Sequence, residues 1–451
     1  MIPAAFEPFV KAAPFCVMAR AALEGLFQPS RLNQLFDDTA QKQYTRELLF
    51  SQLVELMTAV VLRQQPSVRA AYRKGVGNIS VSDQAVYDKL DGLELAVSAA
   101  LVHDSAARLA PVIDQLKARR DSWLKSYRVR ILDGNNLGAT QRRLAGLRDA
   151  WDSPLPGKVL VALDQRTGLV TDVFLTPDGH ASERSLLDAV IASVGARDLW
   201  IADRNFCTQK FLFAIHHARA RFVIRQHGSL EGELSGRRRY IGRCDGGRVY
   251  EQPIALSFEG RGETFRRVSV VLDEPTRDGD PEIHILTNLS QGHAPAVVVA
   301  QLYRRRWTIE GLFLEVSQTL NAEPQTLAYP KAALFAFCLG LLASNAVALI
   351  KAALRAEHGS EAEEQLSVYY AALDIQQVYR GMMIALPADR WSVFGSMSAL
   401  ELADALRQMA KAIDLASYTK TTRGPKKPTP RKVYNNGGHV STHKVLLNRK
   451  N

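Results

Sequence analysis

Four apolar runs in this sequence end in an aspartate: Ile131-Leu132-Asp133, Ala162-Leu163-Asp164, Ile201-Ala202-Asp203 and Val271-Leu272-Asp273. An aspartate at such a place is most often a turn residue, because its carboxylate bonds nearby backbone N–H groups. Asp164 begins a hairpin loop and Asp273 opens a Pro/Gly-containing loop, so both read as turn residues. Asp133 and Asp203 are followed instead by a long irregular connection and by a helix. Strand ends of that kind border the crevice where α/β proteins place ligands, although the turn reading accounts for them too. A third carboxylate, Glu310, lies in a helical run whose apolar stripe is Leu302, Ile309, Phe313, Val316 and Leu320. Beside that stripe Tyr303, Arg306 and Glu310 fall at i, i+3 and i+7, hence on one face. A helix packed on a sheet by the stripe can turn Glu310 towards the strand ends. An ordinary amphipathic helix with solvated or paired Glu and Arg has the same pattern. Converging carboxylates would supply the hard oxygen ligands that divalent cations prefer.

The elements that must position these residues are legible from periodicity. Residues up to about Leu116 read as helical, with Thr45 to Leu62 carrying apolar residues at three- and four-residue steps. Pro66 opens a short basic helix, Ser67 to Lys74, ended by Gly75 and Gly77. A second helix to Leu90 is N-capped by Ser82. This is the layout of a helix-turn-helix, and equally that of a plain helical bundle. From Tyr127 the period changes to that of strands. One ends at Asp133, and Val159–Leu163 and Leu169–Leu175 form a hairpin. A helix from Ser182 to Val194, a strand at Leu199–Ala202, a helix from Phe206 to Ala218 and a strand at Phe222–Arg225 follow. The fold class is therefore mixed α/β. Residues 227–290 hold short β-rich runs (Arg248–Tyr250, Arg266–Leu272, Glu282–Leu286) and read as an all-β insertion. One long helix is expected from Ala296 to Leu320.

The expected domains are a helical region at 1–120, a catalytic α/β domain at 121–328 containing the insertion, a helical region at 329–415 and a tail at 416–451. The tail holds Lys420, Arg423, Lys426, Lys427, Arg431, Lys432, Lys444, Arg449 and Lys450, with no acidic residue after Asp414. Its composition predicts a flexible segment that binds phosphates without reading sequence.

With 57 Lys and Arg against 46 Asp and Glu, the 451-residue chain carries a net charge of +11, which favours a polyanionic partner such as nucleic acid. Cys16, Cys207, Cys244 and Cys338 are isolated, so neither a zinc site nor a disulfide framework is indicated. Free thiols and the absence of a signal-peptide pattern predict a cytoplasmic location. The apolar stretch Ala332–Ile350 is long enough for a membrane span, but Gly340, Ser344 and Asn345 interrupt it. It reads as a buried helix with no membrane partner.

Tyr303-Arg304-Arg305-Arg306-Trp307-Thr308-Ile309-Glu310, preceded by Ile285-Leu286-Thr287-Asn288-Leu289, resembles the signature segment of bacterial insertion-sequence DDE transposases of the insertion-sequence-four type. That signature is Tyr, two residues, Arg, three residues, Glu, six residues, Lys. Asp133 and Asp203 match the aspartates that end the family's first and fourth core strands. The family lysine falls at 317, where this chain has Ser317.

The resemblance implies a ribonuclease H-like catalytic core. It makes Asp133, Asp203 and Glu310 the catalytic and metal-holding residues, and Mg2+ (Mn2+ as substitute) the pair of divalent cations. Phosphodiester cleavage suits such a pair, about 4 Å apart, because one ion activates the attacking oxygen and the other stabilises the leaving oxygen. The resemblance also implies double-stranded DNA as partner, both terminal inverted repeats and target, with a homodimer in the DNA complex. Tyr303 and Arg306 would contact phosphates near the cut. Arg237, Arg238 and Arg239 are a candidate backbone-binding patch, or an ordinary solvated loop. Trp307 reads as a buried tryptophan, with stacking on an unpaired base the other role open to it. Other functional readings are a nuclease without strand transfer and a domesticated or inactive DNA-binding protein, to which Ser317 lends weight.

Overall fold

The computed structural model describes residues 2–148, 152–276, 279–420 and 438–448. The strands are β1 (Arg128–Asn136), β2 (Ser153–Leu155), β3 (Lys158–Asp164), β4 (Val170–Thr176), β5 (Asp198–Ala202), β6 (Arg221–Arg225), β7 (Glu233–Leu234), β8 (Arg239–Cys244), β9 (Gly247–Phe258), β10 (Arg261–Leu272), β11 (Glu282–Thr287) and β12 (His439–Ser441). Ten of them form one mixed sheet in the order β4-β3-β1-β5-β6-β11-β10-β9-β7, with β8 also on β9. β1, β5 and β6 run parallel, whereas β3 and β4 form an antiparallel hairpin on the other side of β1.

The hairpin turns where the sequence places it. Asp164 accepts from the backbone N–H groups of Arg166 and Thr167 at 3.1 and 3.0 Å, the local bonding that makes aspartate a turn residue. β1, in contrast, does not stop at Asp133. It continues to Asn136 because β3 keeps pairing with it, through Asp133↔Val161 to Asn136↔Lys158.

Alternation along the strands gives the sheet two apolar faces. Leu132, Leu160, Ala162, Trp200, Ala202, Phe222 and Ile224 point to one core, beneath the helices Leu187–Ala192 and Gln209–His217. On the other face, Val129, Leu199, Ile201 and Val223 meet the helix Ala296–Arg304. Ile131, Val159, Val161 and Leu163 on that same face join a larger cluster shared with the N-terminal helices and the helices after Tyr329.

Strands β7 to β11 make the 227–290 segment β-rich, as its sequence suggests, but they do not form a separate layer. β11 pairs with β6 through Leu286↔Ile224, so the segment extends the central sheet. β9 and β10 are twelve residues each, longer than the runs read from sequence. Pro253 interrupts the pattern of β9, yet it sits in register opposite Arg266.

The apolar helix Pro330–His358 is a core helix, with 94% of its most apolar window buried in the protein. Its polar interruptions are structural. Asn345 donates to Ser105 Oγ at 2.8 Å and to the Val170 carbonyl at 3.0 Å, and accepts from the Val170 N–H at 2.7 Å. These bonds tie the start of β4 to the helix and satisfy a buried amide completely enough to offset its desolvation. Gly340 has no room for a side chain, because a Cβ there would strike Ala322 and crowd Val316. The helix thus packs directly on the chain just after the Glu310 segment.

That segment is not one uniform helix. It runs as α-helix Ala296–Arg304, a 3-10 turn Arg305–Trp307, α-helix Thr308–Leu314 and a π-turn Glu315–Thr319. The π-turn is anchored from outside: Lys351 pairs with Glu315 at 2.7 Å, and Ser344 Oγ donates to it at 3.4 Å. A π-bulge of this kind inside a helical run is a local adjustment to such tertiary contacts.

Of the segment read as a flexible tail, residues 421–437 and 449–451 lie outside the described residues. Residues 438–448 are built into the fold. β12 pairs parallel with β2, Ser441 and Thr442 are buried, and Lys444 pairs with Asp178 at 3.1 Å. The pairing registers through Val440↔Pro154, a contact that composition does not announce.

Candidate active site at the β1–β5 edge

Parallel pairing between β1 and β5 ends at Leu132↔Ala202. The next residues on the two strands are Asp133 and Asp203, so the register sets them side by side where the parallel pairing of these two interior strands ends. Ile131 and Ile201 point to the face covered by the helix Ala296–Arg304, and by the strand period Asp133 and Asp203 point the same way. After Asp203 the chain makes a 3-10 turn, Arg204–Phe206, pinned by buried Phe206. The helix Gln209–His217 then starts with Thr208 as its N-cap.

The helical run supplies the partners. Tyr303 Oη donates to Asp203 Oδ1 at 3.0 Å. Arg306 donates from one guanidinium nitrogen to Asp133 Oδ2 at 2.6 Å, and its other terminal nitrogen lies 3.6 Å from Glu310 Oε1. The 3-10 turn explains why these residues face inward together. It advances about 120° per residue rather than 100°, so Arg306 turns towards the sheet and is only 7% exposed. Trp307, expected to be buried, is turned out instead and is 61% exposed. Glu310 remains half-exposed at the rim.

The electrostatics are those of crowded carboxylates. Burial pushes the Asp133 carboxyl up to about 6. Arg306 and the Gly134 N–H oppose this, and the Asp203 and Glu183 charges add to it. Burial also works against the Arg306 charge, but Asp133, Tyr303, Asp203 and Glu310 together hold its pKa above the ordinary value. Tyr303 is pushed up as well, first by burial and then by the neighbouring Asp203 charge, so its hydroxyl stays a donor.

The donor set suits a divalent metal in chemistry: oxygen ligands with too little positive charge among them, which a hard cation relieves. Among the described residues, no three acidic, His or Cys side chains already surround a common metal position. Asp133 and Glu310 are gathered by Arg306, whose Nε is buried without a partner.

Not every candidate converges. Arg237, Arg238 and Arg239 are exposed at the start of β8, five strand steps from β5. At about 4.8 Å per step that is roughly 24 Å along the sheet. Arg238 pairs with Glu282 and lies 4.3 Å from the Tyr250 ring centroid. Ser317 is exposed on the π-turn, with its hydroxyl bonded back to the Phe313 carbonyl at 2.8 Å.

Other residues at this edge escaped the sequence reading. Glu323 accepts from Asn135 Nδ2 at 3.1 Å and from the Gly138 N–H at 2.7 Å, tying the end of β1 to the chain beyond the π-turn. Glu183 lies against Gly134, and Asn205 Nδ2 donates to it at 3.4 Å. Neither acid follows an apolar run or keeps a helical spacing from a known candidate. The only local hint is that Glu183 immediately follows the cap Ser182.

A comparison with curated proteins finds no match to this chain. Residues 124–346 match the family model described as Transposase DDE domain. That match spans the segment in which Asp133, Asp203 and Glu310 lie, and it supports identifying the chain as a DDE transposase.

Proposed function

We propose that this protein cuts DNA at terminal inverted repeats and joins the freed 3′-hydroxyl ends to target DNA, as an insertion-sequence-four-type transposase with a ribonuclease H-like core. The observation that carries the reading is the register of β1 and β5, which puts Asp133 beside Asp203 under a helical run bearing Tyr303, Arg306 and Glu310. The core strand order β4-β3-β1-β5-β6, with β3 antiparallel, supports the fold. The net charge of +11 suits a DNA partner.

Asp133, Asp203 and Glu310 would hold two Mg2+ ions, with Asp133 between the other two. When bound, the ions activate the attacking oxygen and stabilise the leaving oxygen of an in-line displacement. Tyr303 fixes the orientation of Asp203 through its hydroxyl. Arg306 fixes Asp133, and its planar donor fork suits a phosphate at the cut. Exposed Trp307, one residue on, offers a ring on which an unpaired base can stack. The helical regions at 1–120 and 329–415 flank the catalytic segment and would help bind the ends. Bringing two ends together requires a dimer on DNA.

The test is excision in cells of a marker placed between the gene's own flanking sequences. Wild type should excise it, and Asp203→Asn at equal abundance should not. Failure of both, with retained binding to those ends, would favour an inactive DNA-binding protein, and Ser317 would be the residue to restore. Cleavage without joining would favour a nuclease.

A further inference from the structure

We infer that Glu323 is a positioning residue for the reaction proposed above, keeping the Glu310 segment seated on β1 while Arg306 holds a phosphate; this rests on that reading of the site. The helical run is fastened to β1 at two places, one on each side of Glu310 in the chain. Before it, Arg306 bonds Asp133 at 2.6 Å. After it, the Glu323 carboxylate accepts from Asn135 Nδ2 at 3.1 Å and from the Gly138 N–H at 2.7 Å. By the strand period Asn135 lies on the same face of β1 as Asp133, two residues on. Gly138 suits the contact, because a Cβ there would stand 2.9 Å from Glu323 Oε2. An ionised carboxylate only accepts, so it also fixes the Asn135 amide, with the nitrogen towards Glu323 and the oxygen turned away.

Glu323 sits on an anchored piece of chain. The Asn321 N–H donates to the Val61 carbonyl at 2.8 Å and Asn321 Nδ2 to the Val60 carbonyl at 3.3 Å, which ties the piece to the helix Phe50–Val61. The Gln141 N–H donates to the Gln325 carbonyl at 2.8 Å, a further bond between this piece and the chain after β1. The two fastenings differ in what the reaction asks of them. A phosphate on Arg306 competes with the Arg306–Asp133 pair. It does not compete with Glu323, whose donors here are a neutral side-chain amide and a backbone N–H. Once DNA is bound, the fastening at Glu323 is therefore the one that keeps the Glu310 segment on β1.

The experiment is single-turnover cleavage of a duplex carrying the gene's own end, by full-length protein at saturating DNA, beside a titration of affinity for the same duplex. Wild type is compared with Glu323→Ala, Glu323→Gln, Gly138→Ala and Asp203→Asn, and thermal midpoints check that each is folded. Glu323→Ala removes both bonds, and Gly138→Ala displaces the carboxylate while keeping its charge. Glu323→Gln keeps an acceptor for the Gly138 N–H, and its amide still bonds Asn135 once that side chain turns over. Cleavage should fall roughly tenfold or more in Glu323→Ala and Gly138→Ala, stay near wild type in Glu323→Gln, and leave DNA affinity within about twofold throughout. In the metal-free DNA complex, amide exchange across the helix Thr308–Leu314 should be faster in Glu323→Ala than in wild type. Wild-type cleavage by a folded Glu323→Ala, or by Gly138→Ala if the former does not fold, would overturn the role of Glu323 and leave the site reading standing. Cleavage as slow in Glu323→Gln as in Glu323→Ala would overturn it too, because charge rather than bonding would then be the cause. A wild type that cleaves no better than Asp203→Asn would overturn both.

Discussion

Arg306 and Asp133, 173 positions apart in the chain, are joined by a 2.6 Å charged hydrogen bond where the parallel pairing of β1 and β5 ends. Both side chains are largely buried, and the bond fixes the helical run over β1. Breaking such a pair by removing one partner leaves an uncompensated buried charge, which typically costs 3–5 kcal/mol. The Arg306 position is thus a structural lock as well as a candidate phosphate contact.

Asp133 makes stability depend on pH. Its folded pKa, near 6, lies above the ordinary aspartate value of 3.8. The folded state therefore holds the proton more tightly than the unfolded chain. The resulting stabilisation is fully present below about pH 4 and is lost as pH rises through 6, amounting to at most about 3 kcal/mol. In EDTA, wild type should gain stability relative to Asp133→Asn as pH falls from 7 to 5, as read from denaturant midpoints. Parallel curves for the two proteins would contradict this.

Tyr303→Phe removes one hydroxyl and keeps the packing of a buried ring. The Asp203 carboxylate then loses its donor at 3.0 Å. Stability should fall by about 1 kcal/mol and excision by roughly tenfold, the scale of losing a group that orients a metal ligand. Unchanged excision would make the Tyr303 hydroxyl incidental.

Trp307 is exposed, so Trp307→Ala should shift stability by no more than about 0.5 kcal/mol. Stacking on a base is worth about 1–3 kcal/mol. Binding to end DNA with an unpaired base at the cut should weaken accordingly in a mobility-shift titration, while binding to fully paired duplex stays constant. Equal losses on both DNAs would argue against stacking.

Ser317→Lys places a cation on an exposed position of the π-turn segment. If this segment faces DNA, affinity for the terminal repeats rises and the plot of log affinity against log salt steepens by about one unit. An unchanged slope would separate Ser317 from the DNA path. Replacing Arg237 and Arg239 by Ala tests the distant patch in the same assay, where contact with phosphates predicts a shallower slope.

How much of this was legible in advance can be followed residue by residue. Local pattern sufficed for the hairpin at Asp164, whose turn is made by bonds within a few residues, and for the strands flanking Asp133 and Asp203. The family-like spacing of Tyr303, Arg306 and Glu310 singled out a segment whose Tyr303 and Arg306 the structure bonds to Asp203 and Asp133, yet the helix read there as uniform contains a 3-10 turn and a π-turn. Those irregularities answer to Lys351, Ser344 and the sheet, so no window of local sequence contains their cause. The exposure of Trp307 follows from the same turn and reversed the expectation of burial. Glu183 was invisible for a related reason: its neighbours Gly134 and Asn205 belong to other elements.

The sequence by itself determined the alternation of strands and helices, the capped turns and the residue types available for chemistry, because these depend on near neighbours and on period. Only the tertiary structure decided that β7 to β11 extend the central sheet and that residues 438–448 dock beside β2. It also decided that Asp133 and Asp203 sit one step beyond the same parallel pair. Strand register and packing across the sheet are set by contacts between residues distant in the chain, and a single sequence carries no local signal for which of many apolar strands will become neighbours.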